Sequence, residues 1–229
     1  MTTVAACRTC GTEPLENARF CHSCGSPVNG ADTHPEYRHT EESLRIAERF
    51  GDDFTLAIAR ANRAFTLIHC SRPQRSLAND LLTQARDTVV VRHLPAGLRR
   101  FVDIEFASQK ALSGDLDGPV AALRTVIAEQ FDTGEMVTRG PGTALLVELL
   151  IRRRANGDLE EAQALIDRLA AVPVDVGFVL YEVPLQRMRT LLARAHGDEA
   201  GYRQFRDRYR AMATSLGFEG HIAWAEAMP

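Results

Sequence analysis

At 229 residues the chain is long enough for one large helical domain, or for a small domain beside a medium one. Its hydrophobic share of 45% and charged share of 25% are those of an ordinary globular protein. A formal net charge of −3 argues against bulk electrostatic attraction to nucleic acid or to an anionic membrane.

No apolar run approaches the roughly 18 residues of a membrane span. The opening Met1-Thr2-Thr3-Val4-Ala5-Ala6 lacks the basic region and apolar core of a secretory signal. The cytoplasm is therefore the expected compartment, where paired thiols read as metal ligands before they read as disulfides.

Such pairs come first in the chain. Cys7-Arg8-Thr9-Cys10-Gly11 is followed by Cys21-His22-Ser23-Cys24-Gly25. In each knuckle a tight turn brings two thiolates to one side, and the glycine permits the backbone twist that lets N–H groups face sulfur. The sequence predicts one tetrahedral structural zinc held by Cys7, Cys10, Cys21 and Cys24. A segment this short cannot fold on apolar burial, so the metal would supply the folding free energy, on the order of 10–16 kcal/mol. Four thiolates close the shell against a substrate water. A redox Cys-x-x-Cys pair is the alternative, but the strand–helix context of that motif is missing. His22 could replace a cysteine as ligand; the simpler reading leaves it exposed.

Pro27 to His39 has no apolar periodicity and reads as a tether, with His34 and His39 solvated. The sequence thus predicts a zinc ribbon over 1–28, a flexible linker over 29–39 and a helical-repeat domain over 40–229. Thr40-Glu41-Glu42-Ser43 looks like a helix start, and Gly51 ends that helix. Asp52 or Asp53 could cap the next, through Leu56, Ala59, Phe65 and Ile68. Pro73 suits the first turn of another, in which Leu77, Leu81, Ala85 and Val89 repeat every four residues. Pro95-Ala96-Gly97 separates it from a helix over 98–112. Leu116, Val120, Leu123 and Ile127 form a clear apolar stripe. Gly140-Pro141-Gly142 reads as a loop leading into a helix over 144–154. Leu159, Ala162, Ile166 and Leu169 mark the next, closed by Pro173, and Pro184 begins or interrupts the one that reaches Ala195. Tyr202, Phe205, Tyr209 and Met212 recur by threes and fours, and Gly217 divides them from Ile222 to Met228.

Three turns resemble one another: Gly114-Asp115-Leu116, Gly157-Asp158-Leu159 and, more weakly, Gly197-Asp198-Glu199. Glycine suits the left-handed position that ends one helix, and aspartate can cap the N–H groups of the next. The predicted fold is mostly α: about ten helices in a tetratricopeptide-like stack of antiparallel hairpins, an α-solenoid, behind a small zinc ribbon.

At two separated places the chain resembles the actinobacterial cyclase-type signalling ATPases and their LuxR-like relatives. The ribbon resemblance spans Cys7 to Pro27, above all Asn17-Ala18-Arg19-Phe20-Cys21-His22-Ser23-Cys24-Gly25. The tail resemblance spans most of Glu41 to Pro229, above all Arg206-Asp207-Arg208-Tyr209-Arg210-Ala211-Met212-Ala213 and Ser215-Leu216-Gly217-Phe218-Glu219-Gly220-His221-Ile222-Ala223. The family would carry a cyclase homology domain and a P-loop ATPase domain between these parts. Only a short stretch, Val28 to Thr40, separates them here.

That gap sets the enzymatic expectation. A class III cyclase needs paired metal-binding aspartates on a strand-rich domain, and no stretch of this chain can supply one. A P-loop needs a lysine after glycine and before Ser or Thr. The only lysine, Lys110, stands between Gln109 and Ala111. The resemblance therefore implies a non-catalytic regulatory module with a protein partner, such as a full-length cyclase-type or ATPase relative, and no small-molecule substrate. Catalysis within a cyclase or ATPase system and nucleic-acid binding through the ribbon are the alternatives.

Other candidate groups have plainer readings. Asp103, Glu105, Asp115 and Asp117 read as helix caps and a solvated face rather than acid–base pairs. His69 and Cys70 are sequence neighbours, which diverge on a helix. Arg152, Arg153 and Arg154 complement a helix C-terminus and stay wet, and Arg139 beside Gly140-Pro141-Gly142 only loosely resembles an anion loop. The stripe of Tyr202, Phe205 and Tyr209 reads as core.

Overall fold

The computed structural model describes residues 6–7, 11–13, 21, 35–69 and 74–228. Among them the chain is all-helical, with ten helices and no strand. They are α1 (Pro35–Phe50), α2 (Asp53–His69), α3 (Arg75–Val91), α4 (Ala96–Leu112), α5 (Asp117–Thr133), α6 (Arg139–Arg153), α7 (Asp158–Ala170), α8 (Val179–His196), α9 (Glu199–Leu216) and α10 (Glu219–Glu226). Two compact units divide the chain: Met1–Glu105 with Glu219–Pro229, and Phe106–Phe218. The boundary falls inside α4. None of the helices is long and apolar enough to cross a membrane.

In the first unit α2 packs on both α1 and α3. Small side chains make the contact: Ala57, Ala61, Ala64, Ala78 and Ala85 are buried beside Leu67, Ile68 and Leu82. The helix expected from Thr40 begins earlier, at Pro35. Proline suits a first turn because its missing N–H would have no helical partner there. The extension is held from a distance. Buried Arg63 of α2 places its guanidinium 4.0 Å from the centre of the Tyr37 ring and donates to the Tyr37 carbonyl at 2.6 Å. Between Asp52 and Asp53, the cap is Asp52, whose carboxylate accepts the Thr55 N–H at 2.7 Å. Pro73 lies outside the described residues.

In the second unit α6 is the central helix. It packs on α5, α7 and α8, while α8 also packs on α7 and α9. Leu146, Val147, Leu149 and Leu150 are all fully buried, as expected of a helix apolar around most of its circumference. The stripe foreseen on α5 is buried at Val120, Leu123 and Ile127, and that on α7 at Ala162, Ile166 and Leu169.

Gly140-Pro141-Gly142 is not a loop. It is the first turn of α6, which starts at Arg139. Pro141 is tolerated there because the first four N–H groups of a helix have no partner within it. Gly140 has a tertiary reason: a Cβ at that position would lie 2.1 Å from the Leu180 carbonyl oxygen. Leu180 is the residue four before Pro184, which stays inside α8 rather than starting it. Proline offers no N–H to the carbonyl four residues back. The bare backbone of α6 can thus press against this carbonyl.

Candidate metal centre and interaction surface

Only two of the four predicted sulfur ligands, Cys7 and Cys21, lie among the described residues; Cys10 and Cys24 lie outside them. Both described cysteines are buried, at 4% and 0% exposure. The first knuckle has a tight backbone. Gly11 donates to the Cys7 carbonyl at 2.7 Å, Cys7 donates to the Thr12 carbonyl at 2.7 Å, and Gly11 takes a left-handed φ of 78°. That conformation is the one a glycine after a metal-binding turn supplies. Among the described residues no three His, Cys, Asp or Glu side chains converge.

The carboxylates weighed as acid–base candidates have structural partners. Asp103 pairs with Arg86 at 2.8 Å and with Arg99 at 3.2 Å, Asp115 accepts the Gly118 N–H at 3.1 Å, and exposed Asp117 reaches Arg153 at 3.0 Å. Glu105 is buried. Cys70 and the His69 side chain are outside the described residues.

The three turns resolve into two kinds. At the first and third, glycine is left-handed (Gly114 φ 97°, Gly197 φ 73°) and the aspartate caps the following helix. Asp115 accepts from Gly118 N–H, and Asp198 accepts from Gly201 N–H at 2.9 Å. Both acceptors serve a glycine three residues on, a spacing the sequence reading passed over. A Cβ at Gly118 or Gly201 would stand 2.8 or 2.2 Å from the aspartate oxygen, so this cap geometry calls for glycine.

The second turn has Glu161 at that place, and there the expected cap is not made. Arg154, left-handed at φ 53°, ends α6, and Asp158 turns back. It accepts from the Ala155 N–H at 2.8 Å and takes both nitrogens of the Arg153 fork, at 2.6 and 3.0 Å. Arg153 therefore does not stay wet: it joins buried Asp158 to Asp117 across the α5–α6–α7 junction. Arg124 extends the cluster, donating to Glu161 at 2.7 Å. The Arg153 hydrogen bonds hold the Asp158 carboxyl below the usual carboxylate range against the opposing effect of burial. Arg152 donates to the Ala111 carbonyl at 3.3 Å.

Arg139 is buried rather than poised for an anion. It donates to the Gln130 carbonyl at 2.8 Å and lies 4.7 Å from the Phe131 ring centre. Arg187 of α8 pairs with Glu148 of α6 at 2.7 Å. Tyr202 and Tyr209 are core, as expected, and burial pushes the Tyr209 hydroxyl up. Phe205, the third member of that stripe, is half-buried and faces a cavity.

This cavity, of about 350 Å³, opens between α7, α8 and α9. Ile166, Leu192, Ala193 and Phe205 make an apolar floor; Arg189, His196, Gln163 and Asp198 stand at its edge. On α8 the lining residues fall at positions 189, 192, 193 and 196, one face of a helix. No model of a known protein family matches the chain, and searches of curated proteins and of solved structures find no match either.

Proposed function

We propose that the chain is a non-catalytic interaction module, in which a structural zinc knob precedes tetratricopeptide-like hairpins that grip a protein partner. The observation that carries the reading is the packing of α6 on both α7 and α8. Contact with the next helix and with the one after it is how repeated hairpins share a continuous core. Such a stack offers long faces to a partner. The sequence resemblance favours a partner from the cyclase-type or ATPase signalling proteins, acting in the cytoplasm.

In the knob, Cys7, Cys10, Cys21 and Cys24 would hold the metal. Burial of Cys7 and Cys21 and the closed turn at Gly11 fit a sulfur donor set. Bound zinc supplies folding free energy, and a four-thiolate shell leaves no position for substrate. The surrounding backbone keeps water from the thiolates and orients them.

Elemental analysis of the purified chain tests the knob, and capture tests the grip. One zinc per chain is expected, lost in Cys10→Ser with no change in helix content by circular dichroism. The immobilised chain is expected to retain a full-length cyclase-type or ATPase relative at physiological salt. A metal-free chain with an ordered N-terminus, or retention of no such relative, would contradict the proposal.

A further inference from the structure

The cavity between α7, α8 and α9 has the chemistry of a recognition site, with an apolar floor and one uncommitted cation. Ile166, Leu192 and Phe205 supply the floor, and about 350 Å³ lies within the usual range of binding clefts, about 300–1,000 Å³. Of the charged groups at its edge, Asp198 is already used. Its Oδ1 accepts the Gly201 N–H at 2.9 Å, and the space a Gly201 Cβ would fill is 2.2 Å from its Oδ2. The carboxylate thus faces the start of α9. Arg189 is half-buried, and among the described residues no carboxylate is paired with it. Its neighbour on the chain, Met188, is fully buried, and so is Thr190, which fixes the stretch of α8 that carries it.

A fixed, half-desolvated guanidinium over an apolar floor matches a carboxylate beside a large apolar side chain. We infer that this cleft docks an acidic peptide segment, with a Leu or Phe side chain on Ile166, Leu192 and Phe205 and an adjacent Glu or Asp on Arg189. The inference rests on the reading of the helices as an interaction surface and names the partner's chemistry. His196, at the same edge, adds a donor for a second carboxylate or a backbone carbonyl.

Fluorescence anisotropy of the full chain with a labelled peptide whose core reads Glu-Leu-Glu-Phe-Glu tests this directly. Saturable binding is expected, weakened about tenfold when the three Glu become Gln and lost when Leu and Phe become Ser. Arg189→Gln should weaken it about tenfold while preserving the melting temperature, and Gln163→Trp, which fills the cleft from its exposed edge, should abolish it. Binding unchanged by Arg189→Gln, or no binding of the acidic peptide, would overturn the assignment. So would saturable binding of octanoate without the peptide, which would give the cleft to a small carboxylic acid. Self-association lost in Arg189→Gln would give it to a second copy. If Arg189→Gln still captures the partner of the intact chain, the interaction reading stands and the cleft assignment alone falls.

Discussion

Gly140 and Asp158 show how single positions decide the second unit. Replacing Gly140 with Ala improves helix propensity by about 0.5–1 kcal/mol at most. Against that, the new methyl would meet the Leu180 backbone oxygen, 2.1 Å away, which cannot rotate aside. Overpacking of this kind costs about 1–3 kcal/mol, so Gly140→Ala should lower stability, measured by urea denaturation. An unchanged midpoint would mean that α6 and α8 do not approach so closely. At Asp158 the folded carboxyl titrates lower than in the unfolded chain. Its stabilisation is therefore complete above the unfolded value near pH 4 and is lost as pH falls through the folded one. Melting of the wild-type protein should drop on acidification below about pH 4. Asp158→Asn should flatten that drop and cost about 3 kcal/mol at neutral pH, because Arg153 loses its buried partner. Equal acid sensitivity in the two proteins would refute the assignment.

Between helices, the repeated aspartate cap makes a prediction with a change of sign. Asp198→Ala should cost about 1 kcal/mol through loss of the bond to the Gly201 N–H. Gly201→Ala should destabilise the wild type, since the methyl crowds the capping carboxylate. In an Asp198→Ala background the same change should stabilise, by about 0.5–1 kcal/mol, because only helix propensity remains. Additive effects in the double mutant would show that the cap and the glycine are independent. These elements also mark what the sequence discloses. The apolar stripes of α5 and α7 were legible because their period is a property of the local chain. The ends of α1 and α6 were not. Pro35 and Gly140-Pro141-Gly142 read as breaks, yet distant contacts decide them: Arg63 on Tyr37, and Leu180 against Gly140. The cleft was equally hidden. Gln163, Arg189 and Phe205 stand on three helices, and no spacing along the chain announces that they share an edge. The cysteine pairs, by contrast, are fully legible, because metal ligation leaves its spacing in the sequence.

For the whole molecule, the account assigns helices that grip and a knob folded around metal, with nucleotide chemistry left to a partner. It predicts that chelation with a strong zinc chelator unfolds the ribbon while far-UV helicity persists, since the helices bury their own core. A parallel loss of helicity would tie the metal to the whole fold. The most direct test of the central claim is turnover: incubate the pure chain with Mg- or Mn-bound ATP and GTP, and measure cyclic nucleotide and released phosphate. The account predicts no product above a boiled control. Turnover that disappears on boiling would contradict it.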